Sequence, residues 1–382
     1  MMRVHGAWLT DAGVQAVLAM LAGGGHQALI VGGAVRNALL GHDVSDIDIA
    51  TDARPERVQE LAKAAKIRAV PTGIEHGTVT LVVAGVGHEV TTFRRDVETF
   101  GRHAVVAFAD SIADDAARRD FTMNALYIDA SGNVIDPLGE GLADLAAGRV
   151  RFVGHPDDRI LEDYLRILRF FRFTAWFGAP GAGVDADALA ACAEHAQGVE
   201  GLSRERVGAE MRKLLAAPNP AAAVAAMQTA GVLAHIFPGA DTLSLALLVH
   251  FEAGRAPDWR RRLAVLGGAD VAEALRLSRT DARALAALVT ASRGDAPAAV
   301  LGYQLGADLG ASAVLVRAAL TGFSPPDVWQ VDVARGAAAK FPLKAIDLAD
   351  ALSGAALGAR LKELEARWIG SDFALTRAEL LA

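Results

Sequence analysis

A single cysteine, Cys192, stands in 382 residues. An internal disulfide framework is therefore excluded, and the chain suits a reducing cytosol. With no His–Asp company in the sequence, that thiol reads as a small buried residue and not as a nucleophile. At the amino terminus no basic segment precedes an apolar run, so no secretory leader and a cytoplasmic location are expected. The apolar stretch from Ala221 to Phe237 is interrupted by Gln228 and His235 and is too short to span a bilayer, so no membrane partner is expected. Basic residues are not in excess: the net charge is −7. That argues against a general nucleic-acid binder, although a substrate held at one end needs only a favourable local field. There is no fixed-period repeat and no low-complexity linker, and no protein partner is predicted. The carboxy-terminal half lacks a His–Asp pair at metal-ligand spacing, and His155-Pro-Asp157 reads as a loop, so a second, phosphohydrolase domain is not expected.

What is present is concentrated near the start. Leu29-Ile-Val-Gly-Gly-Ala-Val-Arg-Asn37 and Ser45-Asp-Ile-Asp-Ile49 read as a strand, a glycine turn, a helix start and a second strand. Gly32 and Gly33 follow an apolar run suited to a buried strand, so they mark a sharp turn with close backbone access. A helix opening there aims free N–H groups at an anion, and Arg36 lies in its first turn. Asp46 and Asp48 flank Ile47, and the period of two puts both carboxylates on one face of a strand. Two acids beside a phosphate cradle are what a pair of Mg2+ ions needs to clamp a triphosphate.

Further along, the β-branched run from His88 to Phe93 predicts a strand whose Glu89 can stand opposite Asp46 and Asp48 as a third carboxylate. It would complete a metal site or take a proton from an attacking hydroxyl. Arg118, Arg119 and Asp120 precede an apolar segment, Phe121 to Tyr127. Arg119 suits a bidentate phosphate contact; Asp120 either accepts from a ribose hydroxyl or holds Arg119; Arg118 reads as a surface charge. Around Asp163 a helical wheel puts Ile160, Leu161, Tyr164, Ile167, Leu168 and Phe171 on one apolar arc. Arg172, Arg169, Glu162, Arg166, Arg159 and Asp163 fall on the opposite half, with Phe170 and Phe173 among them. Such a face is either solvated or a base reader. A carboxylate accepts from an exocyclic amine and an arginine fork donates to a ring nitrogen or carbonyl.

Taken in order, the glycine turn with Asp46 and Asp48, Glu89-Val-Thr-Thr-Phe-Arg94, Arg118-Arg-Asp-Phe-Thr-Met-Asn-Ala125, Asp136-Pro-Leu-Gly139, Glu162-Asp-Tyr-Leu-Arg166 and Ser203-Arg-Glu-Arg206 cover about the first 215 residues. In this succession the chain resembles the class II CCA-adding tRNA nucleotidyltransferase and poly(A) polymerase family of the polymerase-β-like nucleotidyltransferases. The resemblance implies a Mg2+-dependent enzyme acting on tRNA, CTP and ATP. It implies catalytic and metal-binding roles for Asp46 and Asp48, with Glu89 also catalytic. It implies nucleotide contacts from Gly32, Gly33, Arg36, Arg119 and Asp120, with Asp163 and Arg166 choosing the base. Arg169 and Arg172 are candidate further contacts. The sequence departs from the pattern at three points. Asn37 replaces an aspartate and is expected to brace the turn. Tyr164 replaces a proline, which would let the helix begin earlier. Phe100 replaces an aspartate in a loop that the resemblance connects with the switch between CTP and ATP.

The expected fold is an α+β nucleotidyltransferase head, a mixed β-sheet with helices, followed by an all-α neck and body. Strands are predicted at 29–31, 47–50, 78–83, 88–93 and 126–128, and a helix at 55–65. The divisions fall at 1–148 for the head, 149–215 for a base-selecting neck and 216–382 for a tRNA-binding body and tail. Prolines at 180, 218, 220, 257, 325, 326 and 342 separate helices there. Arg204, Arg206, Arg212 and Lys213 are candidates to meet tRNA phosphates. The motifs do not separate CCA addition from poly(A) synthesis or from partial addition of CC or A. A catalytically silent RNA-binding relative is the alternative outside enzymes. A small-molecule nucleotidyltransferase would need neither the Asp163–Arg166 face nor so large a helical body.

Overall fold

The computed structural model describes residues 2–100, 103–349 and 352–382, with the backbone alone for 96–100 and 103–106. Two compact units divide the chain. One comprises Met1–Glu210 and Ala226–Ile236, the other Met211–Ala225 and Phe237–Ala382. The first contains every strand among the described residues and the second is helical. This is the α+β head with a helical remainder that the sequence predicts.

The head is built on a seven-stranded sheet with the order β3-β4-β5-β2-β1-β8-β9. The strands are β1 (Leu29–Val31), β2 (Asp48–Thr51), β3 (Arg68–Gly73), β4 (Thr78–Val83), β5 (Val86–Thr92), β8 (Tyr127–Ile128) and β9 (Val134–Ile135), while β6 (Arg94–Phe100) and β7 (His103–Phe108) form a separate hairpin. β2 and β5 run parallel and the other neighbours antiparallel. Alternation sorts the faces. Leu29, Val31, Ala50, Phe93 and Tyr127 belong to one apolar cluster with Ala109, Ala116 and Val153. Ile30, Ile49 and Val90, out of phase with them and buried, face the layer of α1 (Ala12–Gly23) and α3 (Pro55–Ala64), which contact this sheet. Between them in sequence, α2 (Gly33–Leu39) follows β1 directly. β2 begins at Asp48, so Asp46 lies on the exposed chain entering the strand instead of on its face. β3, β6, β7 and β9 are strands the sequence reading did not anticipate.

The region around Asp163 corrects the single helix drawn from periodicity. After α4 (Ile112–Ala117) and α5 (Gly141–Ala146), α6 spans Pro156–Glu162 and α7 spans Leu165–Phe177. Between them Asp163 is extended, with φ −157° and ψ 105°. Its side chain accepts from the Leu165 amide at 3.1 Å, satisfying one of the free N–H groups at the start of α7. Loss of proline at Tyr164 therefore does not bring the helix start forward. The wheel is broken too: Ile160, Ile167, Leu168 and Phe171 are buried, but Leu161, on α6, is 49% exposed. Phe170 and Phe173 turn inward and join Phe121 and Phe152 in a run of ring contacts at 4.9–6.4 Å. This aromatic core fixes α7 against the segment carrying Arg118 to Asp120. Next, α8 (Ala186–Glu194) holds the buried Cys192, whose thiol is pushed up by burial, in keeping with an inert role. α9 (Arg204–Leu215), α10 (Ala221–Thr229) and α11 (Val232–Ile236) follow.

In the second unit, α12 (Leu245–Glu252), α13 (Trp259–Leu266), α14 (Val271–Ala274), α15 (Arg279–Arg293), α16 (Ala298–Thr321), α17 (Trp329–Ala338), α18 (Gly354–Gly370) and α19 (Arg377–Leu381) are separated at the prolines noted above or at polar turns. Glu252 binds two buried arginines, Arg261 at 2.8 Å and Arg262 at 2.7 Å. Arg262 also donates to the carbonyls of Leu215 at 2.6 Å and of Ala217 and Pro218. It thereby supplies cation and donors to the free carbonyls at the end of α9. α16 is long and apolar enough to cross a membrane, but it breaks at Gly306 (φ 79°, ψ 174°) and buries residues along both halves. It is a core helix: Gly302 and Gly336 let α16 and α17 touch backbone to backbone, since a Cβ on Gly336 would lie 1.7 Å from the Ala299 carbonyl oxygen.

Candidate active site

Three adjacent strands assemble the acidic side of the site. Val31 pairs with Asp48, and Asp48 stands level with Glu89 across the parallel β2–β5 pair. Residues in register on neighbouring strands project to the same face, so the two carboxylates share it with Val31. They line a cavity of about 490 Å3 together with Arg94, Asp115, Arg118, Arg119, Asp120, Asp163, Arg166, Arg169 and Arg206. Burial raises the Asp48 carboxyl above its ordinary range; Arg119 opposes this and Asp46 adds to it. Asp46 is thus electrostatically coupled to Asp48 although it is not part of that lining.

Immediately after Val31 the chain turns at Gly32, with φ 73° and ψ −123°, a backbone conformation open to glycine. A Cβ on Gly32 would lie 3.3 Å from Nη1 of Arg119, so the turn admits that guanidinium close to the backbone. Arg119 is held on its other side. Its Nη2 donates to Asp115 at 2.9 Å and its Nε to the Tyr127 hydroxyl at 3.1 Å. Tyr127 in turn donates to Asp115 at 2.7 Å, and Arg118 Nε donates to Asp115 at 2.9 Å. Burial pushes the Asp115 carboxyl up, but Arg119, Arg118 and the Tyr127 hydroxyl more than reverse this and hold it at about 2. Asp115 is a functional-site residue that the sequence reading missed. Its signal was the spacing of three and four residues to Arg118 and Arg119, an ion-pair spacing on one helical turn. Arg118, read as a surface charge, is instead paired and lines the cavity.

Asp120 holds Arg169, not Arg119. Its Oδ2 accepts from Arg169 Nε at 2.7 Å, while Oδ1 accepts from the Phe121 amide and from Asn124 Nδ2. Burial works against the charged carboxylate, yet Arg169 and these hydrogen bonds keep the group below its usual range. On the helical side Asp163 accepts from Arg206 at 2.6 Å, and Arg166 pairs with Glu162 and donates to the Arg159 carbonyl at 2.9 Å. Arg206 therefore points at Asp163 instead of at bulk solvent. Arg212 lies 6.0 Å from the Trp259 ring.

Comparison with known proteins agrees with this arrangement. A profile described as "Poly A polymerase head domain" matches residues 28–151, and one described as "Probable RNA and SrmB- binding site of polymerase A" matches 183–243. The chain is 40% identical to the mitochondrial CCA tRNA nucleotidyltransferase 1 of Mus musculus over 225 residues, 59% of this chain and 52% of that one. It is 40% identical to the CCA-adding enzyme of Levilactobacillus brevis over 218 residues, 56% and 53% of the two chains. It thus spans about half the length of the curated relatives it matches. A crystal structure of the Bacillus stearothermophilus CCA-adding enzyme in complex with CTP matches 94% of this chain and 93% of that one, with 28% identity and a TM-score of 0.72. Over these residues the chain resembles the class II CCA-adding and poly(A) polymerase family.

Four predicted nucleotide contacts, Gly32, Gly33, Arg36 and Arg172, are not in the cavity lining. Arg36 is 8% exposed and not in the cavity lining. Its guanidinium donates to Asn124 Oδ1 at 2.5 Å and Asn37 Oδ1 at 2.9 Å, and stacks 4.1 Å from the centre of the Phe177 ring. Burial, then repulsion from Arg172, lowers its pKa to about 10. Asn37 braces the turn as expected, its Nδ2 donating to the Asp43 carbonyl. Arg172 is likewise absent from the lining, bound to Glu210 at 2.5 Å and stacked on Phe173. Gly33 opens α2, and a Cβ there would be 3.7 Å from Arg36 Nη2. The Phe100 side chain, with Gly101 and Arg102, lies outside the described residues.

Among the described residues no three acidic, histidine or cysteine side chains are gathered to hold a metal. The donor set nevertheless fits Mg2+, which takes one or two carboxylates and completes its shell with substrate phosphates and water. Asp48 and Glu89 in register, with Asp46 coupled to Asp48, offer hard oxygen donors of that kind.

Proposed function

We propose that this protein adds CCA to the 3′ end of tRNA from CTP and ATP, releasing pyrophosphate. The observation that carries the reading is one cavity holding the Asp48–Glu89 pair, the Asp115-anchored arginines and the Asp163–Arg166 segment together. In this reading residues 1–148 are the catalytic head, 149–215 the base-selecting neck and 216–382 the tRNA-binding body. The names of the relatives, a CCA tRNA nucleotidyltransferase and two CCA-adding enzymes, support it.

The 3′-hydroxyl oxygen of the RNA forms a bond to the α-phosphorus of the nucleotide as the bond to the bridging oxygen breaks. Glu89 is positioned to accept the hydroxyl proton. Asp46 and Asp48 would hold Mg2+, which when bound lowers the pKa of the attacking hydroxyl and neutralises charge on the phosphates. Gly32 and Gly33 let the triphosphate approach the backbone, and Arg119, held by Asp115 and Tyr127, takes a phosphate oxygen pair. Asp120 holds Arg169 toward the same cavity. Asp163 accepts from the exocyclic amine shared by cytosine and adenine, and Arg166 donates to a neighbouring ring acceptor. Arg36 and Arg172 brace the turn and α7 without touching nucleotide.

Labelled CTP and ATP, offered with a tRNA lacking CCA, a tRNA ending in CC and an unstructured RNA, test this. Three nucleotides on the first and one A on the second are expected. Long A tracts on the unstructured RNA would make the protein a poly(A) polymerase, and no incorporation with Mg2+ present would leave a silent RNA-binding relative.

A further inference from the structure

Beside the nucleotide cavity lies a second one of about 520 Å3, lined by Asp163, Tyr164, Gly198, Gly201, Leu202, Ser203 and Arg206. The Asp163–Arg206 ion pair belongs to both linings, so it forms a partition. The two compartments differ in chemistry. The first carries five acids and six arginines among its walls, the partition pair included, and suits a triphosphate. Away from the partition the second has one aromatic ring, one aliphatic side chain, two glycines and the uncharged Ser203. That is a lining for a flat, largely neutral group: a nucleobase stacks on an aromatic face with little regard to its identity.

Tyr164 is held in place by an unusual fit. A Cβ on Gly198 would fall 2.0 Å from Cδ1 and 2.1 Å from Cε1 of the Tyr164 ring, so the ring lies directly against the backbone there. It is half-buried and borders the cavity. We propose that this second cavity receives the terminal nucleoside of the RNA, with Tyr164 as its stacking wall. The inference rests on the 3′-terminal nucleotidyltransferase reading and deepens it. Two substrates that exchange a bond must be held with their reacting atoms about 3–3.5 Å apart, which requires adjoining compartments such as these. Asp163, tied to Arg206, then touches both, and the base of the incoming nucleotide is read beside the base it will follow.

The test uses the full chain and a tRNA carrying 2-aminopurine as its last nucleotide, without Mg2+ or nucleotide. Binding to the parent protein should quench its fluorescence through stacking. Tyr164→Ala should abolish the quenching and raise KM for RNA roughly tenfold, within the range found for loss of one base-stacking contact. Tyr164→Phe should behave as the parent, and KM for CTP should stay within about twofold in both. Leu202→Trp, which adds bulk to the cavity wall and leaves Tyr164 and Gly198 unsubstituted, should also raise KM for RNA, and serves where Tyr164→Ala does not fold. Unchanged quenching and RNA KM in these variants would overturn the proposal. So would a rise confined to KM for nucleotide, which would give the cavity to a second nucleotide instead. Quenching by the parent without any incorporation would count against the catalytic reading alone.

Discussion

Asp48 stands level with Glu89 and is coupled to Asp46, which makes it the side chain with least redundancy in the proposed reaction. Replacement by alanine should reduce incorporation to background while tRNA affinity, measured by filter binding, changes little. Residual turnover near the parent level would remove Asp48 from the mechanism. Asp115 acts differently, by holding Arg118 and Arg119. Its carboxyl stays near 2 in the folded protein against 3.8 for the ordinary group. A folded pKa below the unfolded one gives stability that is present above about pH 4 and lost as the pH falls through about 2. The gap corresponds to about 2 kcal/mol at neutral pH. Asp115→Asn should lose about that much in urea unfolding at pH 7, and the difference from the parent should shrink between pH 4 and pH 2. It should also raise KM for nucleotide, because the arginines lose their anchor. At this scale Asp48 and Glu89 were legible in the sequence because spacing within a strand is local, whereas Asp115 was missed and Asp46 lies ahead of the strand instead of on its face. The fate of Arg36 was not legible, because a cationic residue in a glycine turn looks the same whether it faces phosphate or, as here, Asn124 and Phe177.

The break between α6 and α7 shows what helical periodicity leaves out. Apolar spacing runs unbroken through Asp163, where the extended backbone and the bond its carboxylate accepts from the Leu165 amide separate one helix from the next. That bond competes with continued helix at no visible cost to the pattern. The β6–β7 hairpin and the edge strand β3 escaped for a related reason: each is paired through a shifted register, and β3 buries no regular face. In the helical unit, the Glu252–Arg261–Arg262 cluster is a long-range arrangement that no local pattern announces. Removing the one carboxylate from two buried guanidiniums should cost about 3–5 kcal/mol. Glu252→Gln is therefore expected to lower the urea midpoint markedly without changing KM for CTP. A midpoint within error of the parent would show that the cluster is solvated in solution.

For the whole molecule, an α+β head followed by helices was legible because strand signals fade after about residue 150, and the proline positions fell between helices as read; the two compact units divide elsewhere, after Glu210. A net charge of −7 sits beside a cavity crowded with arginines, so the field that meets a phosphate is set locally and not by the total. The one parallel pairing in the main sheet, β2 with β5, has a consequence for the order in which the molecule acquires function. β3, β4 and β5 form successive antiparallel pairs, close in sequence and quick to form. The β2–β5 pair must instead close a long crossover, the kind of non-local contact that forms late. Asp48 and Glu89 are thus expected to meet near the end of folding, after most of the apolar layer that supports them has condensed. Conservative truncations at Val79 or Leu81, in β4, should slow folding more than truncation at Ile49, giving higher φ-values in the meander than in β2. In that order the burial that raises the Asp48 carboxyl is imposed only on a sheet already built to support it.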